Sequence, residues 1–88
     1  MVRKHIYFSG VVQGVGFRFR CQMIADQLHL TGWCRNDYDG RVETEVQGEE
    51  ETIHQFIERL KRERFIEIER VEIEDIPVIK ESQFRVTY

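Results

Sequence analysis

An α+β sandwich, one antiparallel sheet of four to five strands with two helices on one face, is the fold this sequence predicts. Three observations point to it. The hydrophobic period alternates between two and about 3.6 residues in the order β-α-β-β-α-β, with a short strand added at the end. Two separate stretches carry apolar stripes at helical spacing. The chain has 88 residues, 41% hydrophobic and 33% charged, which suits a single small core and one domain over residues 1–88. This order is the split βαβ, ferredoxin-like arrangement, which by itself assigns no function.

The elements follow in turn. KHIYFSGVVQ, residues 4–13, is rich in β-branched and aromatic residues, with Ile6, Phe8 and Val12 on one face, and reads as a strand. From Phe17 the period changes: Phe17, Cys21, Ile24, Ala25 and Leu28 form an amphipathic helical stripe. TGWCRN, Thr31 to Asn36, is a short strand, and DYDG is a turn ending in the Asp-Gly pair that hairpins favour. Arg41 to Gln47 alternates, with Val42, Thr44 and Val46 on one face, until Gly48 breaks it. Glu49, Glu50 and Glu51 then place negative charge at a helix N-terminus, Ile53, Phe56, Ile57 and Leu60 form its stripe, and Lys61, Arg62 and Arg64 suit its C-terminal end. In FIEIERVEIEDIP the alternation slips phase, since Ile66 and Ile68 are even and Val71 and Ile73 odd. A one-residue slip flips every side chain, so residues 65–70 read as a packed connection or bulged entry and 71–76 as the strand proper. Phe84, Val86 and Tyr88 alternate in a last short strand.

Composition excludes some functions. No apolar run approaches the roughly 18–20 residues of a membrane span, and MVRKHIYFSG enters strand-like alternation with no apolar signal region, so the expected location is the cytoplasm. Net charge is −3, with no basic stripe of the kind a nucleic-acid binder needs. Acidic residues crowd the second half, whereas the first forty residues carry Arg3, Lys4, Arg18, Arg20 and Arg35 against Asp26, Asp37 and Asp39. A small anion bound by the first half fits that asymmetry. Cys21 and Cys34 are read as free thiols, and neither they nor the scattered His5, His29 and His54 lie at metal-ligand spacing. The expectation is no metal and no cofactor.

GVVQGVGFR, Gly10 to Arg18, lies at the turn from the first strand into the first helix. Gly14 and Gly16 can take φ > 0 and let a ligand approach the backbone. The following helix presents unpaired N–H groups and a partial positive charge, so the turn is an anion cradle for which phosphate is the natural guest. Arg18 adds a planar fork matching two phosphate oxygens. Simple chain geometry, with Arg18 solvated or paired to a glutamate, explains the same residues equally well when they are taken alone. The pattern is neither GxGxxG nor a GK[ST] loop, which disfavours nucleotide binding.

A second motif shifts the balance. GVVQGVGFR fits G-x-V-Q-G-V-x-F-R, and GWCRNDYDGRVETEVQG, Gly32 to Gly48, fits G-W-x-R-N-x-x-x-G-x-V-x-x-x-x-x-G. Together with the F-x-V-x-Y ending, Phe84 to Tyr88, the chain resembles the acylphosphatase family over essentially its whole length. The resemblance implies hydrolysis of the carboxyl-phosphate bond of acyl phosphates to carboxylate and inorganic phosphate, without a metal, by a small stand-alone enzyme. By matching position, Arg18 would bind phosphate, Asn36 would hold the attacking water, and the backbone amides of Gly14, Val15, Gly16, Phe17 and Arg18 would form the cradle. The implied partners are small molecules only, for a monomer that engages neither nucleic acid nor membrane.

Several residues read as structural. Trp33 is expected to pack, Arg35 to face away from Asn36 and be solvated, and Arg20, about 200° round the helix from Arg18, to lie outside the cradle. Asn36 alone could merely initiate the DYDG turn. His29 stands where the family often has glycine, so the first helix is expected to end without a left-handed residue. RERFIEIER lacks the Gly/Pro-rich stretch common in relatives. Three other readings stay open: a phosphate or metabolite sensor, which would not need Asn36; an RNA-binding sheet, for which Tyr7 and Trp33 are the available aromatics; and a domain specialised for one acyl phosphate, as in the longer hydrogenase-maturation proteins.

Overall fold

Residues 1–88 are all described by the computed structural model. The order is β1 (Val2–Val11), α1 (Phe17–Gln27), β2 (Thr31–Asn36), β3 (Val42–Gly48), α2 (Glu50–Lys61), β4 (Glu67–Ile76) and β5 (Phe84–Val86). The strands form one sheet in the order β4-β1-β3-β2-β5. Four of them pair antiparallel, β2 and β3 as the hairpin that the DYDG turn signals, but β5 joins parallel to β2 with Gly32 opposite Phe84. The sheet is therefore mixed rather than purely antiparallel. The segment leaving β4 must cross to the far edge, and it returns in the direction of β2.

The alternation of β1 and β3 and the stripes of both helices meet in one core. Ile6, Phe8, Val42 and Val46 from the sheet lie against Phe17, Cys21, Ile24 and Ala25 from α1 and Ile53, Phe56 and Leu60 from α2. Phe8 and Phe17 meet as tilted rings with centroids 5.0 Å apart, and Phe56 and Phe84 at 6.1 Å close the β5 side. Gly48 does not break β3; it is the last paired residue, opposite Val2.

β4 begins at Glu67, four residues earlier than the alternation suggests. Its pairing with β1 runs Ser9 to Arg70 and then Gly10 to Ile68, so Glu69 is the extra residue of a bulge. The bulge is the physical form of the phase slip between Ile68 and Val71. It also explains the first glycine of the motif, because a Cβ on Gly10 would stand 2.2 Å from the Glu67 carbonyl oxygen.

α1 ends in a way its sequence conceals. His29 holds φ 57°, so a left-handed residue is present after all and is a histidine. The His29 N–H donates to the Asp26 carbonyl and the Leu30 N–H to that of Ala25, at 3.2 and 2.8 Å, which is the Schellman closure. The buried Leu30 fixes the path of the chain beyond it and forces the conformation on an exposed residue. A left-handed L-residue costs about 1–2 kcal/mol, and glycine gives part of that back through unfolded-state entropy. A His29→Gly variant should therefore be more stable by about 0.5–1 kcal/mol, read as a higher urea midpoint.

Candidate active site

The loop between β1 and α1 hangs between two core anchors, Val12 and Phe17, which are 1% and 2% exposed. Between them Gly14 and Gly16 hold φ of 74° and 79°, and a Cβ on either would meet nothing within 4 Å. Glycine is needed there for backbone conformation, and the space in front of it is open. Gln13 ties the loop down by donating to the carbonyls of Asp37 and Arg41, at 2.6 and 2.9 Å. The glycine loop and the β2–β3 turn are thereby held as one unit, with Asn36 at the end of β2 beside them.

Gly16 is the N-cap of α1 and offers no side-chain cap. The first helical bond runs from the Arg20 N–H to the Gly16 carbonyl at 3.0 Å, and no N–H from Gly14 to Phe19 finds an acceptor in the protein. Such a row of free donors at a helix N-terminus favours an anion. The Val15 side chain packs against the core, and its backbone N–H is one of the free donors of the loop.

Arg18 stands beside the loop. One Nη1 donates to the Thr87 carbonyl at 3.4 Å, and its Cζ lies 4.8 Å from the Tyr88 ring centroid. No carboxylate pairs with it, so the glutamate-bound alternative does not apply, and most of its donors stay available. Asn36 closes the arrangement. Its Oδ1 is buried and accepts no hydrogen bond, although a buried amide oxygen normally finds a donor. Gly14, Gly16, Phe17, Arg18 and Asn36 all line one cleft of about 320 Å³.

Asn36 and Tyr88 also border a second cleft of about 430 Å³, reaching over Tyr7, Tyr38, Asp37 and Arg41. Beneath it Glu43, 8% exposed, accepts from His5 Nε2 at 2.7 Å and Arg35 Nε at 2.9 Å. Burial pushes the Glu43 carboxyl up, but the bonds from His5 and Arg35 outweigh this and hold it below its ordinary range. Asp37 moves the other way, raised by burial and by the Glu43 charge. The site thus has a cationic, donor-rich side at the loop and, beyond Asn36, a side of mutually paired charges in which Arg35 and Arg41 meet Asp37, Glu43 and Asp39.

Of the residues read as structural, Arg20 and Trp33 line neither cleft, and Arg35 borders only the second. Arg35 faces away from Asn36, but it is bound rather than merely solvated, because Glu43 meets its Nη2 at 2.8 Å and Asp37 its Nε at 3.5 Å. Arg20 lies 3.7 Å from a Glu63 oxygen. Trp33 lies under Arg35, whose Cζ is 5.5 Å from its ring centroid. Cys21 and Cys34 are buried and unpaired, and burial pushes the Cys21 thiol well up. No three His, Cys, Asp or Glu side chains converge. Sequence reasoning missed two supports: Gln13, although it lies inside the first motif, and the Thr87–Tyr88 end, which reads as strand alternation and as a family ending but not as a rest for Arg18.

Comparison with known proteins agrees with this geometry. The model of the acylphosphatase family matches residues 4–86. The acylphosphatase of Geobacillus kaustophilus is 42% identical over all of this chain and 96% of its own length. The crystal structure of acylphosphatase from Bacillus subtilis superposes with a TM-score of 0.92 at 34% identity, each chain fully covered. T. kodakarensis HypF matches at a TM-score of 0.87 and 35% identity, but there this chain corresponds to 12% of a much longer protein.

Proposed function

The chain belongs to the acylphosphatase family, and from that premise we propose how its residues divide the work. It is an acylphosphatase and acts on small-molecule acyl phosphates, hydrolysing them to carboxylate and phosphate. In the proposed mechanism the free amides from Gly14 to Arg18 and the guanidinium of Arg18 hold the phosphoryl group. Asn36 Oδ1 orients the attacking water. The observation that carries this reading is that the loop with its unpaired N–H donors, Arg18 and Asn36, whose buried Oδ1 has no partner in the protein, border the same cleft.

The chemistry suits these groups. Phosphoryl transfer has a loose transition state, with charge spread over three equatorial oxygens and the attacking and leaving oxygens roughly in line. Preorganised N–H groups and a fixed cation stabilise that charge without rearranging. The water oxygen bonds to phosphorus as the bridging P–O bond breaks. The electron pair of that bond leaves on the acyl oxygen as a carboxylate, which needs no proton, and the water's proton passes to a phosphate oxygen. A neutral amide can position water without repelling a dianion, as a carboxylate would. No step calls for a metal, and the reaction is proposed to be metal-free.

The same proposal takes the protein as a single domain over residues 1–88 and a cytoplasmic monomer that engages neither nucleic acid nor membrane. A net charge of −3 supports the first exclusion. No helix is long and apolar enough to cross a membrane. The test is phosphate release from benzoyl phosphate in the presence of a chelator. Wild type should turn over rapidly, whereas Asn36→Ala should lose at least about a hundredfold in kcat, the usual worth of one positioned group, and stay inhibited by inorganic phosphate. Near-normal turnover by the variant would remove Asn36 from its role. Absence of wild-type turnover with phosphate binding intact would favour the sensor.

A further inference from the structure

We infer that Phe19 forms the subsite for the acyl group and that the enzyme prefers acyl phosphates with a flat, apolar acyl portion. This rests on the proposed placement of water at Asn36. Three observations lead to it. Phe19 is 62% exposed, although it belongs to the first turn of a helix whose buried stripe is Phe17, Cys21, Ile24 and Ala25. At about 100° per residue its side chain projects from nearly the opposite side to that stripe, away from the sheet. It nevertheless lines the same cleft as the glycine loop, Arg18 and Asn36. An aromatic ring on the outer rim of an anion cradle has no partner in the core, and its neighbour Arg20, with Cζ 5.7 Å from the ring centroid, lies against it.

In-line displacement then gives the direction of departure. Asn36 projects from β2, on the sheet side of the cleft, so water attacks from there. The carboxylate must leave on the opposite side of phosphorus, outward past the first turn of α1, where Phe19 stands. The roomier cleft over Tyr7, Tyr38 and Arg41 looks better suited by size, with about 430 Å³ against 320 Å³. It opens beyond Asn36, however, on the side of the attacking water, and the leaving group does not reach it.

The deciding quantity is the ratio of kcat/KM for benzoyl phosphate to that for acetyl phosphate, because the cradle and the water are common to both substrates. Phe19→Ala should lower this ratio about tenfold, the worth of a well-formed aromatic contact. Phe19→Tyr should restore it, and Tyr38→Ala, in the roomier cleft, should leave it unchanged. Inhibition by inorganic phosphate reports that the cradle is intact in each variant. An unchanged ratio in Phe19→Ala, or an equal fall in Tyr38→Ala, would overturn the assignment. Failure of the underlying reading looks different: Asn36→Ala would then hydrolyse acetyl phosphate at the wild-type rate, and the direction of departure would fall with it.

Discussion

Replacing Arg18 with alanine should abolish inhibition by inorganic phosphate and lower turnover of benzoyl phosphate by about a thousandfold, the lower end of what an arginine on a transferring phosphoryl group supplies. Two losses combine. The cradle keeps its free N–H donors but loses its only full positive charge, and the planar fork that matches two phosphate oxygens is gone. Arg18→Lys separates the two. A lysine returns the charge as a point without the fork, and should recover phosphate inhibition better than it recovers turnover. The guanidinium contributes little to the core, resting on the Thr87 carbonyl and the Tyr88 ring. The urea midpoint of both variants should therefore stay close to wild type. Phosphate inhibition undiminished in Arg18→Ala would mean that the amides alone bind the anion.

The largest loss of stability is expected at Arg3, far from the cleft. This arginine is 2% exposed. It donates to Glu45 through Nε and Nη2 at 3.0 and 2.9 Å, and to Glu81 and Gln47 through Nη1 at 2.7 and 3.3 Å. Burial alone would lower its pKa, but the bonds and charges of Glu81 and Glu45 outweigh burial and keep it firmly protonated. Gln47 in turn exchanges two hydrogen bonds with the backbone of Ile79, at 2.8 and 3.0 Å. The cluster straps the segment between β4 and β5 across the open face of the sheet. Arg3→Met leaves two carboxylates facing each other with little water, and should cost about 3–5 kcal/mol, as breaking other buried ion pairs does. Adding Glu81→Gln to Arg3→Met should recover part of the loss, because it removes one of the stranded charges. Urea midpoints measure both. A change within about 0.5 kcal/mol, the usual range of a surface substitution, would show the cluster to be peripheral.

What could be read in advance follows from which interactions leave a periodic trace. Ile6, Phe8, Val42 and Val46 recur every second residue because a buried sheet face demands it, and Phe17, Cys21 and Ile24 recur at helical spacing for the same reason. The residues around Arg18 and Asn36, glycines suited to positive φ and a strand ending at a turn, allowed a purely structural reading of each on its own; the two were singled out by the paired motifs of the family resemblance. Gln13 was not, because a side chain reaching two backbone carbonyls depends on where those carbonyls are and asks nothing of their residue types. Arg3 was read as one basic residue among several, since nothing in its neighbourhood announces that Glu45 and Glu81 will converge on it from 42 and 78 residues away. Tyr88 continues the alternation of Phe84 and Val86, but β5 stops at Val86, and the ring turns to lie against Arg18 instead of extending the strand. His29 shows the reverse case. The residue type argued against a left-handed closure, and the burial of Leu30 imposed one.

The hydrogen bond from Arg18 to the Thr87 carbonyl joins residues 69 positions apart, and this has a consequence for biosynthesis. A ribosome that has released β1, α1, β2 and β3 has already delivered the glycine loop and Asn36, yet the arginine has nothing to rest on. Closing so long a loop is entropically costly and waits until the intervening helix and β4 have packed. Turnover in a nascent or refolding chain should accordingly lag behind secondary structure, and its first appearance marks the moment β5 docks beside β2.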